Sequence, residues 1–123
     1  MTSPTQNTGR AWEERAASFL RQNGLKMLLH GYRCRLGEID LVAEDESHLV
    51  IVEVRARKST SRGTALETVG NGKQNRIVKT ARHLLMRNPQ WSRRRIRFDV
   101  VAIDAIDSPD PEFTWVRNAF DAS

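Results

Sequence analysis

The stretch 37-GEIDLVAEDESHLVIVEVRAR-57 reads as two apolar strands, 37–43 and 48–56, joined by a short acidic turn. A hairpin turning near Asp45–Ser47 pairs residues whose numbers sum to about 93. Asp40 then faces Glu53, and Glu38 faces Arg55. Alternate residues of a strand share a face, so all four fall on one side of the sheet. Carboxylates are costly to bury, and like charges directly opposite one another are destabilising. Three arrangements relieve the conflict. A divalent ion such as Mg2+ or Mn2+ favours carboxylate oxygens. A salt-bridge network in which Arg55 and a neighbouring Arg neutralise both acids also serves. A slip of register separates them.

Outward from this hairpin, residues 9–22 have a helical pattern, with Trp12, Ala16, Phe19 and Leu20 on one face. Glu13 lies at the edge of that face and is expected to reach the sheet, while Glu14 points to solvent. A charge favoured by the helix dipole is the plainer reading of Glu13. Asn23-Gly24 stops the helix. Residues 25–35 suit an extended segment. Residues 57–72, rich in Gly, Ser and Thr, are expected to form a mobile basic loop. A second helix spans 73–87, with Ile77, Val78, Ala81, Leu84 and Leu85 on one face, and Asn88-Pro89 ends it. Lys73 and Gln74 continue that stripe at its N-terminal end, where they either face a site near the sheet or lie in solvent. Residues 95–103 read as a strand, with Asp99 paired to Arg97 or another Arg, and 113–118 as a last short strand. The order predicts an α/β fold: a central mixed sheet flanked by helices.

The 123 residues suit one domain over 9–120, preceded by a polar, flexible tail at 1–8. The single cysteine, Cys34, rules out an internal disulfide and a four-cysteine zinc site. No apolar run approaches membrane-spanning length and the N-terminus has no apolar signal core, so a reducing cytoplasmic setting is expected. Charge is unevenly spread. From Val54 to Arg97 there are 13 Lys and Arg against one acid, Glu67. That segment points to a polyanion, with nucleic acid first and no membrane partner, although a basic solvated face is the plainer alternative.

The motifs also resemble a family. Gly9-x-x-x-Glu13-x-x-Ala16, Gly37-Glu38-Ile39-Asp40-Leu41 and Val52-Glu53-Val54-Arg55-x-Arg57 look like the YraN-like bacterial family. Lys73-x-x-Arg76, Arg97-Phe98-Asp99-Val100-Val101 and Asn118-Ala119-Phe120 extend the match over residues 9–120. This family is similar to restriction-endonuclease-like nucleases and archaeal Holliday junction resolvases. The resemblance implies a restriction-endonuclease-like core and a site built from a helical Glu, a strand Asp and a Glu-x-Lys on the next strand. Glu13, Asp40 and Glu53 stand at the acidic positions. Arg55 stands where that element usually has Lys, and Trp12 where the family often has Gly. Arg stays protonated and cannot act as a base, but it orients water or stabilises phosphate charge.

The function expected from these residues is metal-dependent hydrolysis of a nucleic-acid phosphodiester, DNA before RNA, with shape read rather than sequence, as on branched DNA. Asp40 and Glu53 would hold Mg2+ or Mn2+, with Glu13 assisting through water. Arg55 would contact the phosphate or its water, and Lys73 and Gln74 would orient them. Arg57, Lys58, Arg62, Lys73, Arg76 and the Arg93-Arg94-Arg95 cluster would grip the backbone. A resolvase-like role implies a homodimer, since two strands must be cut. The alternative is a nucleic-acid-binding protein that keeps the fold without efficient cleavage, and a third is a domain whose basic segment meets an acidic protein.

Overall fold

The computed structural model describes residues 4–60 and 63–122. Helix α1 (Pro4–Gln22) leads into strands β1 (Lys26–Cys34), β2 (Gly37–Glu44) and β3 (His48–Ala56). A 3-10 turn at Leu66–Thr68 precedes helix α2 (Asn71–Arg87), a second at Pro89–Trp91 follows it, and strands β4 (Arg95–Asp104) and β5 (Glu112–Phe120) complete the fold. The five strands form one sheet in the order β1-β2-β3-β4-β5. Among the described strands only β3 and β4 run parallel, with α2 in the crossover between them. The fold is thus α/β with a mixed central sheet, as the order of periodicities requires.

β3 is the middle strand, and Leu49–Glu53 are buried without a break. A strand covered on both faces needs a continuous apolar run, and LVIV supplies it. One face packs on α2 through Ile51, Leu49, Ile77, Leu84, Phe98 and Val100. The other packs on α1 through Ala16, Leu20, Leu41, Val50, Val52 and Ile103. Leu20 and Leu84 have no exposed surface; burying such a side chain stabilises the fold by roughly 1.5–3 kcal/mol.

Several expected boundaries move. The first helix starts at Pro4, inside the segment read as a tail. The last strand is longer than 113–118 because its residues pair with β4 from Glu112 to Phe120. The segment 57–72 is pinned rather than loose where it is described. Ser59 donates to Asp107 through its amide and its hydroxyl, both at 2.8 Å, and the Ala65 amide donates to Asp104 at 2.8 Å. Ala65 and Val69 are buried. Composition alone hides this, because the pinning partners lie about 40 residues downstream. No helix among the described residues is long and apolar enough to cross a membrane.

Candidate functional site

The β2–β3 ladder has the expected register: Leu41↔Val52, Val42↔Ile51, Ala43↔Val50 and Glu44↔Leu49. Continued by one residue, it sets Asp40 opposite Glu53. The backbone ladder stops short of them, and an Asp40 side-chain oxygen accepts the Val54 amide at 2.8 Å. The carboxylate therefore supplies the partner that a strand would otherwise give that amide.

β2 also changes face at this point. Ile39 packs in the core under α2, whereas Leu41 packs under α1. Strict alternation would put both on one side. The neighbouring strand shows the cause. His30↔Leu41 and Tyr32↔Ile39 flank Gly31, which stands opposite Asp40 and takes φ +87°. A left-handed glycine turns the strand over and projects no side chain at Asp40. Asp40 therefore lies between the two faces of the sheet and lies against acids on both. The expected facing of Glu38 and Arg55 does not occur, because Glu38 is exposed and bonds Arg33 on β1 at 3.1 Å.

Glu13 approaches from α1. It is half-buried and within hydrogen-bonding reach of Asp40, while Glu14 is exposed. Burial, reinforced by the charges of Asp40 and Glu38, pushes its carboxyl up to about 7. Glu53, on the α2 side, is only 6% exposed. Burial, then its contact with Asp40, pushes its carboxyl up to about 9, and Lys73 and Arg55 oppose the rise. Lys73 Nζ, from the first turn of α2, lies 3.6 Å from Glu53 Oε2. The three acids thus come from three elements, at the carboxyl end of β3. Ligand sites in open α/β sheets favour that end, where the loops leave the sheet. On the α1 side a groove of about 760 Å3 leads to Glu13 past Arg10, His30, Tyr32 and Arg33.

Other expected site residues divide sharply. Arg55 Nε donates to Thr68 Oγ1 at 2.7 Å, and that hydroxyl donates to the Ala65 carbonyl at 2.6 Å. Gln74 Nε2 donates to the Val69 carbonyl at 3.0 Å. Both side chains brace the segment before α2. Arg57, at the end of β3, pairs its backbone with Ile103 and Ile106; Lys58 and Arg76 are exposed. Arg62 lies outside the described residues. Arg93, Arg94 and Arg95 stand at the other end of the sheet. His48↔Arg95 and Glu53↔Val100 are five residues apart along β4, or roughly 17 Å. Arg94 is tied there to Glu44 at 2.6 Å and to the Asp45 carbonyl at 3.1 Å.

Asp99 is structural, as expected, but with more partners than Arg97. It is fully buried and accepts two bonds from Arg97, one from Trp115 Nε1 and one from the Asn118 amide, each at 2.9 Å. Sequence reasoning missed Thr68, Trp115 and Asn118, which carry no local signal of these contacts.

No group of three or more His, Cys, Asp and Glu suited to a metal ion occurs among the described residues. The fit of Mg2+ or Mn2+ rests on two carboxylates instead. Asp40 and Glu53 are held together although the Asp40 charge disfavours ionisation of Glu53, which a cation would relieve. Two carboxylates with water in the remaining positions is a common way to hold Mg2+.

The profile of the Uncharacterised protein family UPF0102 matches residues 12–103. A UPF0102 protein of Legionella pneumophila strain Philadelphia 1 is 39% identical over 118 residues, covering 96% of this chain and 98% of its own. A UPF0102 protein of Alcanivorax borkumensis is 42% identical over 115 residues, covering 94% and 92%. One from Pseudomonas aeruginosa strain PAO1 is 40% identical over 119 residues, covering 96% and 95%. The chain belongs to the UPF0102 family, the YraN-like group that its motifs resemble.

Proposed function

We propose that this protein is a metal-dependent nuclease that hydrolyses phosphodiester bonds in nucleic acid, DNA before RNA, on a restriction-endonuclease-like core. The observation that carries the reading is the convergence of Glu13, from the α1 side, and Glu53, beside the first turn of α2, on Asp40 between them. Asp40, fixed by the Val54 amide, and Glu53, fixed by burial, would hold Mg2+ or Mn2+. When bound, such an ion lowers the pKa of a water and offsets charge on the scissile phosphate. Glu13 holds a proton on the α1 side through its contact with Asp40, at a carboxyl poised near neutral pH. The exposed Lys58 and Arg76 suit backbone contacts that read shape rather than sequence, as on branched DNA. Cutting both strands of a junction would call for a homodimer.

The test is a cleavage panel of linear, flapped, four-way-junction and single-stranded DNA, and RNA, with Mg2+ or Mn2+. Asp40→Asn and Glu53→Gln are expected to lower cleavage at least about a hundredfold. Cleavage by both variants at the wild-type rate would place the activity elsewhere. A second reading, a nucleic-acid-binding protein without turnover, is favoured by the engagement of Arg55 with Thr68. EDTA-insensitive binding with no cleavage of any substrate would establish it.

A further inference from the structure

We propose that Lys73, reaching in from the first turn of α2, is the cation that meets the reacting phosphate, and that Arg55 is a structural brace. This assignment rests on the hydrolytic reading above and moves to Lys73 the phosphate contact expected of Arg55. Arg55 follows Glu53 by two residues and so shares its face of β3. Its Nε is nevertheless committed to Thr68, and through that hydroxyl to the Ala65 carbonyl. The bond fixes the turn at Leu66–Thr68, from which α2 departs.

Lys73 has a different environment. Its ammonium is 3.6 Å from Glu53 Oε2, a loose ion pair rather than a tight hydrogen bond, and its side chain keeps 32% exposure. It therefore lies beside Glu53 on one side and faces open solvent on the other, where a phosphate would arrive. An ammonium has three donors on a flexible stem and so serves Glu53, a water and a phosphate oxygen together. The first turn of α2 supplies a favourable dipole for the same anion.

Three variants separate the roles: Lys73→Met, Lys73→Arg and Arg55→Lys. At saturating Mn2+, Lys73→Met is expected to lower kcat at least about a hundredfold with KM for DNA changed less than about threefold. Lys73→Arg recovers at least tenfold of that loss, because charge is restored. Arg55→Lys leaves kcat within about threefold. A rise in KM with kcat intact would make Lys73 a mere backbone contact and overturn the assignment. So would a kcat loss of a hundredfold in Arg55→Lys.

Mn2+ titration without nucleic acid, followed by calorimetry, separates this proposal from the nuclease reading. Removing a positive charge beside the acid pair is expected to tighten Mn2+ binding by about threefold or more in Lys73→Met. If wild type binds Mn2+ but cuts nothing, the nuclease reading falls, and tighter binding in Lys73→Met still supports the ammonium's place beside the pair. Unchanged or weaker Mn2+ binding in Lys73→Met overturns it. Absence of Mn2+ binding by wild type overturns both.

Discussion

Asp40 and Glu53 keep company that carboxylates usually avoid, and each is held by a different force. A backbone amide fixes Asp40, whereas burial fixes Glu53. The two raised carboxyls set the pH response. Glu13 and Glu53 bind protons more tightly folded than unfolded, so their contribution favours the folded state at low pH. It is fully present below about 4.5 and is lost as pH rises through about 7 and then about 9. Metal-free protein is therefore expected to show a falling urea midpoint between pH 5 and pH 9, and Glu53→Gln to flatten that fall. A midpoint that is level in wild type would refute the contact between the acids. Asp99 makes the opposite kind of site, with every bond satisfied. Asp99→Asn leaves the Arg97 guanidinium partly unpaired and is expected to cost about 3–5 kcal/mol in urea unfolding. A cost below 1 kcal/mol would show that Trp115 and Asn118 do not depend on it.

At the scale of elements, two glycines shape the site. Gly31 turns β1 over opposite Asp40. Gly37, at φ +152°, lets the start of β2 lie against α2, where an added Cβ would stand 2.9 Å from Thr80 Oγ1. Gly37→Ala meets both strain and a clash and is expected to destabilise by roughly 1–3 kcal/mol, measured by thermal unfolding. An unchanged melting temperature would mean that α2 has room to shift. This also explains what the sequence made legible. The hairpin register followed from the turn position and the period of two, so Asp40 against Glu53 was readable. The change of face at Asp40 was not, because a lone glycine in a strand does not announce its φ. The orientation of Lys73 was visible as the end of an apolar stripe. Its contact with Glu53 depends on how α2 docks, which no local pattern encodes. Arg55 looked free because the hydroxyl that takes it stands 13 residues away.

For the whole molecule, the basic segment proves to be two regions rather than one grip. Lys73 and Arg76 stand on the first half of α2, with Lys73 beside Glu53, whereas Arg93 and Arg95 are exposed at the far end of the sheet. Under the proposed function, charge that distant would contribute to affinity through counterion release but not to the chemical step. The double variant Arg93→Ala/Arg95→Ala is expected to reduce the salt dependence of DNA binding by about one to two contacts' worth, with single-turnover cleavage at saturating protein unchanged. A slower cleavage step would bring that end of the sheet into the site. The central claim is that Asp40 and Glu53 form a divalent-cation site at the carboxyl end of β3. Its most direct test is thermal unfolding at pH 8 with and without Mn2+. Wild type should gain about 5 °C or more when Mn2+ exceeds its dissociation constant a hundredfold or so, and Asp40→Asn and Glu53→Gln should gain almost nothing. An equal gain in all three proteins, or none in wild type, would contradict the site.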